Sequence, residues 1–145
     1  MLALLQRVTY ASVQINNETT AEVKQGLLIL CGFKIDDTLE HCLQLLKRCF
    51  NYRIFTDHQD KMNLSLKDIS GEALIVPQFT LVADTKRGLR PSFSKGMPPQ
   101  DGHNLFEKLR VAVQTIYPHL KFGCFAADMK INLCNDGPVT FLLEN

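Results

Sequence analysis

Apolar positions along the 145-residue chain change period several times, and each change marks an element. The opening LALLQRVTYASVQI, residues 2–15, is β-rich, and Val13 and Ile15 alternate with Ser12 and Gln14 as in a half-buried strand. Asn16-Asn17 follows; asparagine tolerates positive φ, so a hairpin turn is predicted, with TTAEVKQ as the returning strand. Gly26 precedes LLILCGF, a continuous apolar run expected of a strand covered on both faces. Within DDTLEHCLQLLKRCF the spacing becomes three and four. Leu39, Cys42, Leu43, Leu46, Cys49 and Phe50 then share one stripe of a helix, with Asp37 and Glu40 as a capping box. After NYRIF and the polar turn TDHQDK, EALIVPQFTLVA predicts a second buried strand, in which Pro77 has no N–H and demands a bulge or an unpaired edge. PPQDGHNLFEKLRVAVQTIY predicts a second helix with Leu105, Leu109, Ala112, Val113 and Ile116 inward and Pro118 as its stop. Two alternating runs close the chain, Met129, Ile131, Leu133 and then Val139, Phe141, Leu143, separated by NDGP. The order β-β-β-α-β-α-β-β is α+β, mostly antiparallel, in a single domain over residues 1–145.

Composition narrows the class. With 46% hydrophobic and 21% charged residues and no low-complexity tract, the chain is globular rather than disordered. A formal charge of +1 excludes binding to nucleic acid through a general basic excess, so any RNA contact is local. The densest basic stretch is DTKRGLRPSFSKG, with Lys86, Arg87, Arg90 and Lys95; on charge alone it reads as a solvated loop. Five scattered cysteines show neither a C-x-x-C pair nor zinc spacing, which suits a reducing compartment. The apolar run of MLALLQRV is too short for a signal peptide or a membrane span, so a cytoplasmic protein without a membrane partner is expected.

Most candidate chemistry dissolves on inspection. Ser92-Phe93-Ser94-Lys95 matches S-x-x-K, but the S-D-N and K-T-G elements that accompany this nucleophile are missing. His103 and Glu107 are spaced i, i+4, a metal-ligand spacing that reads better as a helix-surface pair. With no G-x-S-x-G, H-E-x-x-H or P-loop, neither an attacking side chain nor a metal or other cofactor is expected. Two segments stay open. Gly137-Pro138 is either a plain turn or a place where a ligand or another backbone approaches closely. In PQFTL, Gln78 and Thr80 either orient a substrate or face solvent as ordinary strand residues.

Taken together, LLQRVTYASV, GLLILCGF, NYRIF with KMNLS, QFTL, DTKRGLRPSFS, FAADM and NDGPVT resemble the D-aminoacyl-tRNA deacylase family nearly end to end. The resemblance implies a compact β-barrel-like α+β fold with two main helices, assembled as a homodimer. It implies hydrolysis of the ester between a D-amino acid, or glycine, and the terminal adenosine of tRNA. Gln78, Phe79 and Thr80 fall on the family's catalytic strand motif. Gly137 and Pro138, with Pro77 and Met129, are expected at the substrate, the Gly-Pro pair being cis and reaching into the partner subunit's pocket. Arg7, Lys86, Arg87 and Arg90 are the candidates for contact with the acceptor stem. One departure stands out: the family's strand motif begins with Ser, and this chain has Pro77. A related group with relaxed chiral discrimination carries Pro there but lacks the Phe retained here as Phe79. A relaxed deacylase that clears mischarged L-aminoacyl-tRNA is therefore one alternative. A non-catalytic tRNA-binding module is another, which the near-neutral charge and the absence of a stacking aromatic series disfavour.

Overall fold

The hairpin at the start of the chain forms as the pattern dictates: Asn16 and Asn17 sit at φ 52° and 65° and join β1 (Leu2–Ile15) to β2 (Glu18–Val23). The computed structural model describes residues 1–86 and 88–145, so Arg87, one of the basic residues expected at tRNA, lies outside the described residues. The other elements are β3 (Gly26–Gly32), α1 (Leu39–Phe50), β4 (Phe55–Thr56), β5 (Met62–Leu64), β6 (Glu72–Pro77), a 3₁₀ turn (Phe79–Val82), α2 (Pro99–Val113), β7 (Leu120–Phe122) and β8 (Lys130–Glu144).

The long β1 organises the sheet. Its first half pairs antiparallel with β3 and its second half with β2, while β8 runs antiparallel along its other edge. Parallel β6 and β7 continue the sheet beyond β3. The sheet then curls into a nearly closed barrel, because β2 also packs against β6 and β7. Glu72 clasps that closure: its carboxylate accepts from Lys24 N–H at 2.6 Å and its own N–H donates to the Gln25 carbonyl at 3.1 Å. Gly26 permits the approach, since a Cβ there would lie 1.8 Å from the Glu72 carbonyl oxygen.

β3 and β6 are apolar on both sides because each faces two cores. Leu27, Ile29, Ala73 and Ile75 pack outward against the two helices with Leu45, Leu46, Phe50, Phe106 and Leu109. Leu28, Leu74 and Val76 point into the barrel with Val8, Ala11, Val13 and Val23. The helical stripe of α1 is inward as expected, with Leu45 joining Cys42, Leu46, Cys49 and Phe50. In α2 the fully buried Phe106 joins Leu105, Leu109 and Val113.

Three expectations are corrected. Thr38, not Asp37, caps α1, accepting from His41 N–H at 3.2 Å; the Asp37 carboxylate instead binds Lys34 N–H at 2.6 Å and pairs with the Met1 ammonium. EALIVPQFTLVA is not one strand, because Pro77 ends β6 and the next residues turn into the 3₁₀ segment. The two final runs are not two strands joined by a turn but one strand, β8, paired with β1 on both sides of NDGP. The short β4–β5 ribbon and β7 carry too few residues for a periodic signal.

Leu46 has no exposed surface, so Leu46→Ala is expected to cost about 2–5 kcal/mol with an unchanged denaturant slope, measured by urea unfolding.

Candidate functional site

The β1–β8 register contains a break that regular pairing would not produce. Gln6 faces Thr140 and Val8 faces Asn135, so residues 136–139 leave the ladder opposite Arg7 alone. The bulge holds Gly137 and Pro138, joined by a cis peptide bond, and both are exposed. Gly137 has φ 140°, and a Cβ there would meet Val139 Cγ2 at 2.6 Å and an Arg7 guanidinium nitrogen at 3.2 Å.

Arg7 fills the gap from beneath. Its Nε donates to the Asp136 carbonyl at 2.9 Å and lies 3.3 Å from the Asp136 carboxylate, while Nη1 donates to the Ile54 carbonyl at 2.7 Å. The side chain is only 9% exposed. Arg7 therefore does not supply the surface cation expected at tRNA; a guanidinium this buried and engaged is a scaffold for the bulge. Asn135 closes the bulge's neck: its Oδ1 accepts from Val139 N–H at 2.6 Å and its Nδ2 donates to Thr140 Oγ1 at 2.9 Å. Sequence reasoning missed Asn135, although a short amide side chain beside Gly-Pro can stand in for a peptide group.

A second feature lies at the end of β6. A groove of about 510 Å³ is lined by Phe33, Pro77, Phe79, Phe93, Met97 and Phe125, among others. The rings of Phe79 and Phe93 lie 5.2 Å apart, and Phe79 is 64% exposed. Aromatic residues scattered in sequence thus converge here, where no stacking series was evident from spacing. Met97 N–H donates to the Phe33 carbonyl at 3.0 Å and Gln78 N–H to the Cys31 carbonyl at 2.7 Å, so both walls hang from the end of β3. Met129 packs against the barrel-interior cluster, its Sδ accepting from Cys124 N–H at 3.4 Å. Thr80 is exposed and Gln78 is half-buried.

Phe79 and Thr80 open the 3₁₀ turn, and among the described residues neither N–H finds an acceptor. Other candidates are occupied elsewhere. Lys95 pairs with Asp84 at 2.8 Å rather than with Ser92; His103 meets the Phe125 ring at 5.5 Å, and Glu107 pairs with Arg110 at 3.7 Å. Burial pushes the Cys42 and Cys49 thiols up to about 12 and raises Cys31 as well, so these three stay protonated in the core.

One chain does not bring the two features together. The bulge is three strands from β6, about 14 Å across the sheet, and four residues, about 13 Å, along it from the row of Pro77. The result is a small α+β barrel with an apolar aromatic groove, free main-chain donors beside it and a rigid main-chain projection elsewhere.

The family model described as D-Tyr-tRNA(Tyr) deacylase matches residues 4–144. A D-aminoacyl-tRNA deacylase of Legionella pneumophila (strain Lens) is 54% identical over 144 residues, 99% of each chain. The solved structure of a c-Myc DNA unwinding element binding protein superposes with TM-score 0.94 at 32% identity, covering 100% of this chain and 99% of that one. A structure described as a probable eukaryotic D-amino acid tRNA deacylase gives TM-score 0.84 at 17% identity over 98% and 97% of the two chains, a likeness of fold. The chain belongs to the D-aminoacyl-tRNA deacylase family. Among the described residues, no helix is long and apolar enough to cross a membrane.

Arg7→Ala leaves the Asp136 and Ile54 carbonyls without their donor and is expected to cost about 2 kcal/mol in urea unfolding. Amide exchange should quicken at Val139, with Arg7→Lys restoring only part of the protection; unchanged exchange in Arg7→Ala would contradict the scaffold role.

Proposed function

We propose that this chain hydrolyses the ester between a D-amino acid, or glycine, and the terminal adenosine of tRNA, removing wrongly charged amino acids before translation uses them. The observation that carries this reading is the Gly137-Pro138 bulge, held out of the β1–β8 ladder by Arg7 in a chain of this family. The bulge and the Gln78–Thr80 segment lie apart within one chain, which supports a homodimer in which each bulge reaches the partner's groove. Main-chain carbonyls at a bulge accept hydrogen bonds from a substrate ammonium. With the ammonium and the ester both fixed, an L side chain must point at the bulge's backbone, whereas hydrogen or a D side chain points away. Handedness is then screened by steric exclusion, so many D-amino acids are accepted.

An aminoacyl ester is already activated, and the chemistry needs a positioned water and a place for the oxyanion. The free N–H groups of Phe79 and Thr80 are suited to the second task. The tRNA's own ribose hydroxyl, both donor and acceptor, helps direct the water. Thr80 and Gln78 act by placement, while Pro77 and Met129 help shape the walls. Lys86 and Arg90, exposed beside the groove, take the acceptor stem with Arg87. The protein works in the cytoplasm, where tRNA is charged.

The direct test is deacylation of D-Tyr-tRNA, Gly-tRNA and L-Tyr-tRNA in parallel. The D and glycyl esters are expected to be cleaved, with the L ester slower by roughly 100-fold or more. Equal turnover of D and L favours the relaxed deacylase that Pro77 suggests, and binding without cleavage favours the tRNA-binding module. Thr80→Ala is expected to keep kcat within about tenfold of wild type; an acyl-Thr80 adduct trapped by mass spectrometry would overturn catalysis by placement.

A further inference from the structure

Leu89 is the most exposed large apolar side chain among the described residues, at 107%. It follows Gly88 in the stretch between Asp84 and Ser92, whose two ends are tied together. Asp84 and Ser92 exchange backbone hydrogen bonds of 2.7 and 3.0 Å, and the Asp84 carboxylate accepts from Lys95 Nζ at 2.8 Å and from Lys86 N–H at 3.0 Å. The Lys95 hydrogen bond, then that of the Lys86 N–H, holds the Asp84 carboxyl below its ordinary value, so the clasp is charged at neutral pH. Gly88 takes φ 65° with open space around it, which turns the chain just before Leu89. The loop contains no acidic residue, and Lys86 and Arg90 flank Leu89, both exposed.

A lone exposed leucine is ordinary, but its setting here is directional. The clasp at Ser92 runs directly into Phe93, which lines the aromatic groove and packs on Phe79. An apolar tip between cations, beside that groove, matches a ligand with apolar faces and an anionic backbone, which is a nucleic acid strand. A membrane or a second protein chain matches less well, because a single leucine offers little area to either.

We propose that Leu89 packs against a base plane of the nucleotides just inside the aminoacylated end, while Lys86 and Arg90 meet the flanking phosphates. Apolar side chains placed against bases with cations alongside are an established mode of nucleic-acid contact. The proposal rests on the deacylase reading and adds a contact that senses RNA beyond the terminal nucleoside. From Ser92 to Leu89 the chain reaches about 10 Å, so the contact falls on nucleotides where the acceptor stem meets the aminoacylated end.

The test compares kcat/KM for D-Tyr-tRNA with that for the short ester D-Tyr-adenosine, in wild type, Leu89→Ala, Leu89→Met and Lys86→Ala. In Leu89→Ala the ratio of tRNA to short-ester activity is expected to fall roughly tenfold, with Leu89→Met restoring most of it. Raised salt should erase the Lys86→Ala deficit and leave the Leu89→Ala deficit in place. An unchanged ratio in Leu89→Ala, or a Leu89→Ala protein whose mass by light scattering differs from wild type, overturns the contact while leaving the deacylase reading intact. Wild-type protein that cleaves neither substrate overturns both.

Discussion

A single buried guanidinium governs the unusual part of this structure. Arg7 lies in the middle of the longest internal strand, opposite the one place where β8 leaves the ladder. A buried cation must be paired, and Arg7 finds its partners on two segments distant in sequence, at Ile54 and Asp136. Without it, the Asp136 carbonyl would lose its donor at the point where the segment leaves the ladder; with it, residues 136–139 are tied to the strand beneath them. Asn135 and the buried Val139 secure the two ends, so the exposed dipeptide is braced from three sides.

The rest of the fold places a second, different surface at the end of the same sheet. Pro77 stops β6, the chain turns through Phe79 and Thr80, and aromatic side chains from four separate segments meet around one groove. Both surfaces are built mainly from backbone and apolar groups, which agrees with a reaction whose substrate is already activated. On the proposed reading, selectivity comes from what the main chain excludes, a geometric criterion indifferent to the identity of the amino-acid side chain.

The legible parts of the sequence were those set by burial along a single element. The double-sided run of β3 and the three-and-four spacing of α1 reappear, because each follows from one segment meeting one or two cores, whereas the alternation expected at the end of β1 fails at Ser12, which is buried like Val13. The misreadings have a common cause in local ambiguity. Asp37 and Thr38 are adjacent capping residues, and the competing pull of the Met1 ammonium decided between them. NDGP looks like a turn between strands, and only the partner strand reveals that the chain continues beyond it in the same direction.

By itself, then, the sequence determined the apolar stripes of the helices, the hairpin at Asn16-Asn17, the α+β class and, through QFTL and NDGPVT, the family. Tertiary structure alone decided that Arg7 is a brace rather than a surface charge, that Asn135 closes the bulge, and that Phe33, Phe79, Phe93 and Phe125 share a groove. The physical reason is range. Periodicity records how a segment meets water and core over a few residues. The partner of a buried charge, or of an unpaired backbone group, is fixed only when strands far apart in the chain come into register.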